Sequence, residues 1–123
     1  MKNVFALGLV IAGFALGADW SGQWRLILKD EDTGIEGRPT LSLTQTGSAV
    51  TGTYSGRFGV TKASGSINGR SIVLEVQTPQ GMMRMEGNLD ESGEKLEGRF
   101  AIRDSGSGIF TGTKRAVTPQ PSK

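Results

Sequence analysis

Apolar and polar side chains alternate with a period of two along most of the chain beyond residue 20. Trp24, Leu26 and Leu28 alternate with Gln23, Arg25 and Ile27, Leu41 and Leu43 with Thr40, Ser42 and Thr44, and Ile72, Leu74 and Val76 with Ser71, Val73 and Glu75. Successive side chains of a strand point to opposite faces, so this pattern predicts strands with one buried face. No Gly- and Pro-free stretch of ten residues carries an apolar stripe at helical spacing. Turn residues separate the alternating runs: Thr46-Gly47-Ser48, Asn68-Gly69, Pro79-Gln80-Gly81, Ser92-Gly93 and Asp104-Ser105-Gly106. Eight strands are expected, at about 22–29, 39–46, 49–56, 60–67, 70–78, 82–89, 95–103 and 108–115. The short connections predict antiparallel hairpins between neighbours.

An internal repeat underlies the strands. The pattern apolar-x-Gly-x-apolar recurs around Gly52, Gly65, Gly87 and Gly98, and a fifth copy around Gly112 ends in Lys114. Each Gly falls on the apolar face, where it weakens a strand unless something requires it. Two causes fit: sharp coiling where a small barrel closes, or interior room for a neighbouring side chain or a ligand. Charges on the opposite face select two registers. Pairing Leu89 with Leu96 sets Glu86 opposite Arg99 and Asp90 opposite Lys95, and a four-residue loop Thr78–Gly81 sets Glu75 opposite Arg84. The slipped alternatives oppose like charges. A charged outer face also argues against a membrane barrel.

Composition narrows the function. The 123 residues include no Cys and no His, which excludes Ser-His-Asp and Cys-His nucleophiles, Cys/His zinc sites and disulfides. Lys2, the uncharged run Val4–Leu16 and the small residues Ala15 to Ala18 form the pattern of a secretory signal peptide over residues 1–18, with cleavage after Gly17 or Ala18. The run is short for a permanent membrane anchor. Loss of Lys2 leaves 13 basic against 12 acidic residues, a near-neutral balance that predicts poor binding to nucleic acid or to an anionic membrane surface, with no membrane insertion after leader cleavage. Residues 19–115 read as one barrel domain and 116–123 as a disordered tail. Secreted or periplasmic localisation follows, with no cofactor expected.

Gly22-Gln23-Trp24 opens the first strand and Lys114-Arg115 closes the last. In a closed barrel these ends meet, and a cation there covers the indole face. Gly-x-Trp at the start with a basic residue at the end resembles the calycin superfamily of lipocalins, fatty-acid-binding proteins and avidins, and Val50-Thr51-Gly52-Thr53-Tyr54 is similar to the third-strand motif of avidins, which carries a ligand-contacting Tyr. The resemblance implies an eight-stranded antiparallel up-and-down β-barrel, with Trp24, Lys114 and Arg115 as structural closure. Biotin binding is not implied, because Trp20 and Trp24 are the only tryptophans.

In that topology the loops at 30–38, 57–59, 79–81 and 104–107 share one end. Alternation turns Leu28, Leu41, Tyr54, Met83, Ile102 and Phe110 inward there. Tyr54 alone has a polar tip, which either donates to backbone or meets a ligand. Leu28, Leu41, Tyr54, Met83 and Phe110 are therefore the candidate contacts of a small apolar ligand. Asp30, Glu31, Asp32 and Glu36 do not match a calcium-loop spacing, and no metal site is expected. Alternation makes Met83 and Met85 core residues. Trp20, ahead of the first strand, is expected to matter less than Trp24. Two functions compete: a non-enzymatic carrier or sensor of a small apolar molecule, and a protein-interaction module, such as an inhibitor of an extracytoplasmic hydrolase, using loop 30–38. No carboxylate pair shares an inward face, so catalysis is not expected.

Overall fold

The computed structural model describes residues 19–115; the leader (1–18) and the tail (116–123) expected from the sequence lie outside the described residues. Nine strands are present: β1 (Gly22–Asp30), β2 (Glu36–Gly37), β3 (Thr40–Thr46), β4 (Ala49–Gly56), β5 (Gly59–Asn68), β6 (Ser71–Thr78), β7 (Gly81–Leu89), β8 (Lys95–Ile102) and β9 (Gly106–Lys114). Each long strand pairs antiparallel with its neighbour in sequence, and β9 returns to β1 from Asp30–Gly108 to Trp24–Lys114. The result is a closed eight-stranded up-and-down barrel. The two-residue β2 is extra: it pairs with Leu28 and Lys29 of β1 and folds part of the first loop back onto the wall.

The registers follow the alternation. Leu89 pairs with Leu96, Glu86 with Arg99 and Glu75 with Arg84, while the Asp90 amide donates to the Lys95 carbonyl at 2.9 Å. The ion pairs differ from the ladder in one place. Arg84 binds Glu86 on its own strand at 2.7 Å and reaches Glu75 at 3.8 Å, whereas Arg99 turns away from Glu86 to Glu31 in the first loop, at 2.7 Å. All are exposed and solvent-screened, so they contribute little to stability.

The repeated glycines divide by cause. A Cβ at Gly52, Gly65 or Gly98 would overlap the carbonyl oxygen of Ser42, Val73 or Glu86 on the adjoining strand. The wall coils there too tightly for any side chain. At Gly87 the space holds the Phe110 ring, 3.0 Å from a Cβ, and at Gly112 it holds the Leu26 side chain, 2.6 Å away. Coiling and packing therefore account for all five.

The barrel is filled by Leu26, Leu43, Val50, Ile72, Leu74, Val76, Met85 and Leu96, all buried. One end is sealed. Trp24 and Trp20 are both fully buried, their rings 5.9 Å apart and tilted by 38°. This corrects the lesser role expected of Trp20. Asp19 to Ser21 crosses the barrel floor: the Trp20 amide donates to Gln45 Oε1 at 2.9 Å, and its indole Nε1 donates to the Gly69 carbonyl in the β5–β6 turn at 3.3 Å. Trp24 Nε1 donates to the Trp20 carbonyl at 3.0 Å. Lys114 Nζ lies 5.7 Å from the centroid of Trp24 and donates to the Asp19 carbonyl at 2.7 Å. Arg115 stays outside, its amide on the Gln23 carbonyl at 2.8 Å and its guanidinium on Gln23 Oε1 at 3.3 Å.

Trp20→Ala and Trp24→Ala are each expected to lower stability by about 3–5 kcal/mol, the usual cost of truncating a buried aromatic. Urea melts report this directly, and a Trp20→Ala midpoint equal to that of the wild type would remove Trp20 from the plug.

Candidate functional site

The end opposite the tryptophans is open. It is edged by the loop leading from β1 through β2 to β3, the Arg57-Phe58 and Pro79-Gln80 hairpin tips, and the β8–β9 turn, where Asp104 takes a left-handed φ of 60°. A cavity of about 470 Å³ lies within this edge. Leu28, Tyr54, Met83, Phe100 and Ile102 line its walls, with Ile35, Pro39 and Phe58 nearer the exit. Gly56 belongs to the lining, and a Cβ there would stand 3.3 Å from Pro39 and 3.6 Å from the Tyr54 ring.

Of the five expected contacts, Leu28, Tyr54 and Met83 line this cavity and Leu41 and Phe110 do not; Ile102, expected to face inward, lines it as well. Barrel strands are tilted, so residues counted at equal steps from a loop lie at different depths along the axis. Leu41 pairs with Trp24 as well as Tyr54 and is fully buried. Phe110 packs over Gly87 and borders a hollow of about 490 Å³ on the β7–β9 wall, which shares no residue with the open-end cavity. Thr78 is the inward polar residue not singled out above, although the alternation Ile72, Leu74, Val76 continues to it.

A second cavity, of about 330 Å³, adjoins the first through Tyr54, Phe58 and Thr78. The β5–β6 ladder runs from Asn68–Ser71 to Ala63–Val76 and stops, whereas β4–β5 and β6–β7 continue to their hairpin tips. Val60 and Thr61 thereby part from Gln77 and Thr78, and the cavity opens between them.

Tyr54, Thr61 and Thr78 bring polar side chains to this interior. The Thr78 hydroxyl donates to the Gly81 carbonyl at 2.6 Å and accepts from the Gln80 amide at 3.1 Å. Tyr54 is 9% exposed and lines both cavities, and its hydroxyl makes no hydrogen bond among the described residues. Burial alone pushes its pKa up to about 12.

Charge collects at the rim, on loops that alternation does not govern. Asp30, Glu36, Arg38 and Arg57 all line the exit. The Asp30 carboxylate accepts from the Thr33 and Asp32 amides at 3.0 and 2.8 Å, which holds its pKa below the ordinary value. Glu36 pairs with Arg38 at 3.4 Å and Glu31 with Arg99. The acidic loop is thus spent largely on its own structure, and among the described residues no three acidic side chains gather as a metal site.

No family model and no curated protein matches the chain. Solved structures do. A de novo designed fluorescence-activating β-barrel is 21% identical with a TM-score of 0.61, over 78% of this chain and 94% of that one. A redesigned β-barrel bound to the fluorophore DFHBI is 11% identical with a TM-score of 0.59, over 77% and 94%. A fatty acid transporter is 12% identical with a TM-score of 0.51, over 83% and 100%. At these identities the likeness establishes the barrel fold.

Tyr54 is the only tyrosine, so its ionisation can be read without assignment. Its folded pKa lies above the ordinary tyrosine value of 10.0, so the stability linked to it is complete below that value and is lost as pH rises toward 12. Phenolate absorbance is expected to appear about two units later in the folded protein than in urea. Coincident curves would place the hydroxyl in water.

Proposed function

We propose that the protein is a secreted, non-enzymatic carrier or sensor that holds a small, mainly apolar molecule in the open end of its barrel. The observation that carries this reading is the unpartnered Tyr54 hydroxyl, buried beside a cavity of about 470 Å³ walled by Leu28, Met83, Phe100 and Ile102. A hydroxyl that faces the cavity and makes no hydrogen bond to the described residues is free to donate to a ligand acceptor. The volume falls within the range of small-molecule sites. Polar parts of the ligand would lie at the rim, beside Arg38 and Arg57. Barrels of this fold among the solved structures include a fluorophore binder and a fatty acid transporter, which supports a binding role. Export rests on the leader pattern of residues 1–18, outside the described residues.

A second reading, a protein-interaction module, draws on the same loop that borders the cavity. Asp30, β2 and the Glu31–Arg99 pair hold that loop in one shape while Ile35 stands 58% exposed. A rigid loop presenting an apolar side chain suits a partner's pocket.

Native mass spectrometry of protein recovered outside the cytoplasm separates the two. A chain shortened by 17 or 18 residues that retains a small molecule is the expected result, and a retained protein with an empty barrel would overturn the carrier reading. For a ligand carrying a hydrogen-bond acceptor, Tyr54→Phe is expected to weaken binding by about 0.5–1.5 kcal/mol and to leave the urea midpoint nearly unchanged.

A further inference from the structure

We propose that the open end of the barrel also docks reversibly onto an anionic lipid bilayer, through the β4–β5 and β6–β7 hairpin tips. Three of the five large apolar side chains exposed among the described residues lie at or next to these tips; Ile35 and Ile109 are the other two. Phe58 occupies one tip and is 52% exposed, Val60 beside it is 69% exposed, and Met82, next to the other tip, is 41% exposed. Val60 and Met82 point outward, because Ala63 and Met83 fix the inward parity of their strands. Neither apolar side chain contributes to the core; Val60 shares the smaller cavity's lining with Phe58, and Met82 stands farther round the wall, opposite Gln77.

Three cations frame this strip: Arg57 at the first tip, Lys62 one outward step beyond Val60, and Arg103, whose amide donates to the Met82 carbonyl at 3.3 Å. None of the three has a salt-bridge partner among the described residues. The neighbouring carboxylates Glu36, Glu75 and Glu86 are already paired with Arg38 and Arg84. Asp104 is the one carboxylate among these tips, and Asp30, Glu31 and Asp32 stand on the loop of the other rim. The near-zero net charge therefore conceals a segregated rim, net basic at these tips and net acidic on the loop of the other side, where Ile35 is also exposed.

A bilayer fits this surface better than a protein does. The apolar side chains project singly from convex hairpin tips and are interleaved with unpaired long cations. Protein interfaces instead gather a central patch depleted of charge. Singly projecting apolar groups can enter the headgroup layer while Arg and Lys contact lipid phosphates, each cation contributing about fivefold to partitioning. Phe58 and Val60 also line the smaller cavity, so docking would bring that opening to the lipid surface. The docking itself does not depend on the carrier reading.

Flotation of the purified soluble protein with phosphatidylcholine vesicles, with and without phosphatidylglycerol, tests the proposal. Binding is expected only with phosphatidylglycerol and is expected to fall as salt rises. Arg57→Gln and Lys62→Gln should each weaken it about fivefold. Phe58→Ser with Val60→Ser should weaken it further, with the salt dependence retained. All four positions are surface positions, and unchanged urea midpoints would confirm intact folding. Tyr54→Phe should leave flotation unchanged, which separates docking from ligand binding. No flotation with phosphatidylglycerol, equal flotation on neutral vesicles, or indifference to the Arg57 and Lys62 substitutions would overturn the proposal.

Discussion

The barrel depends on places where one strand's backbone occupies the position of another's side chain. At Gly52, Gly65, Gly98 and Gly108 an added Cβ would collide with a carbonyl of the adjoining strand. Eight strands make a small circumference, and the wall must coil hard to bring β9 back to β1. With larger residues at these points the wall would flatten. The β1–β9 ladder, which leaves no free edge between first and last strands, would then be hard to close. The period-two apolar face supplies the driving force for folding, and the missing side chains make the closed shape sterically accessible.

Closure leaves two unlike ends. At one, two indoles and the Lys114 ammonium fill the cross-section, and Asp19 to Ser21 passes over them, tied to Gln45, Gly69 and Lys114. At the other the inward positions are Gly56, Thr61, Thr78 and Gly106, with Tyr54 the largest polar one. Bulk concentrated at the tryptophan end thus leaves unfilled volume at the loop end. The five repeated glycines do not create that volume. None of them lines the open-end cavity, and their spaces are taken by backbone, Phe110 or Leu26.

The eight barrel strands, their hairpin order and both charge-selected registers were legible in the sequence, because each depends on alternation and on short turns; the two-residue β2, inside the first loop, was not. What alternation does not govern was not legible. Trp20 stands ahead of the first strand, so no period assigns it a face; its burial comes from a chain crossing that only the closed floor produces. Leu41 and Phe110 have the expected inward parity but lie too deep for the cavity, since parity gives a side of the wall and strand tilt gives the depth. Arg99 chose Glu31, 68 residues away, over the Glu86 opposite it, because a flexible exposed cation pairs with whichever carboxylate a loop delivers. The loops of the cavity rim were placed at one end by the up-and-down order, but which of their side chains face the exit, Ile35, Phe58, Arg38 and Arg57 among them, is not set by alternation.

The open end joins two properties that a sealed barrel of the same sequence pattern would lack. Its interior contains the Tyr54 hydroxyl, which has no hydrogen-bond partner among the described residues, and its exterior carries apolar side chains and cations that the core does not use. The break in the β5–β6 ladder connects them, since Val60 and Phe58 on the outside border the same hollow as Tyr54 and Thr78 within. Backbone pairing ends there although the flanking hairpins continue to their tips, so the wall is weakest beside the strip of exposed apolar residues. Local opening is easiest where ladder hydrogen bonds and buried contacts are fewest. An apolar molecule moving between the interior and an apolar phase outside would cross least polar surface at this break, between Val60 and Gln77, rather than over the charged rim formed by Asp30, Glu36 and Arg38.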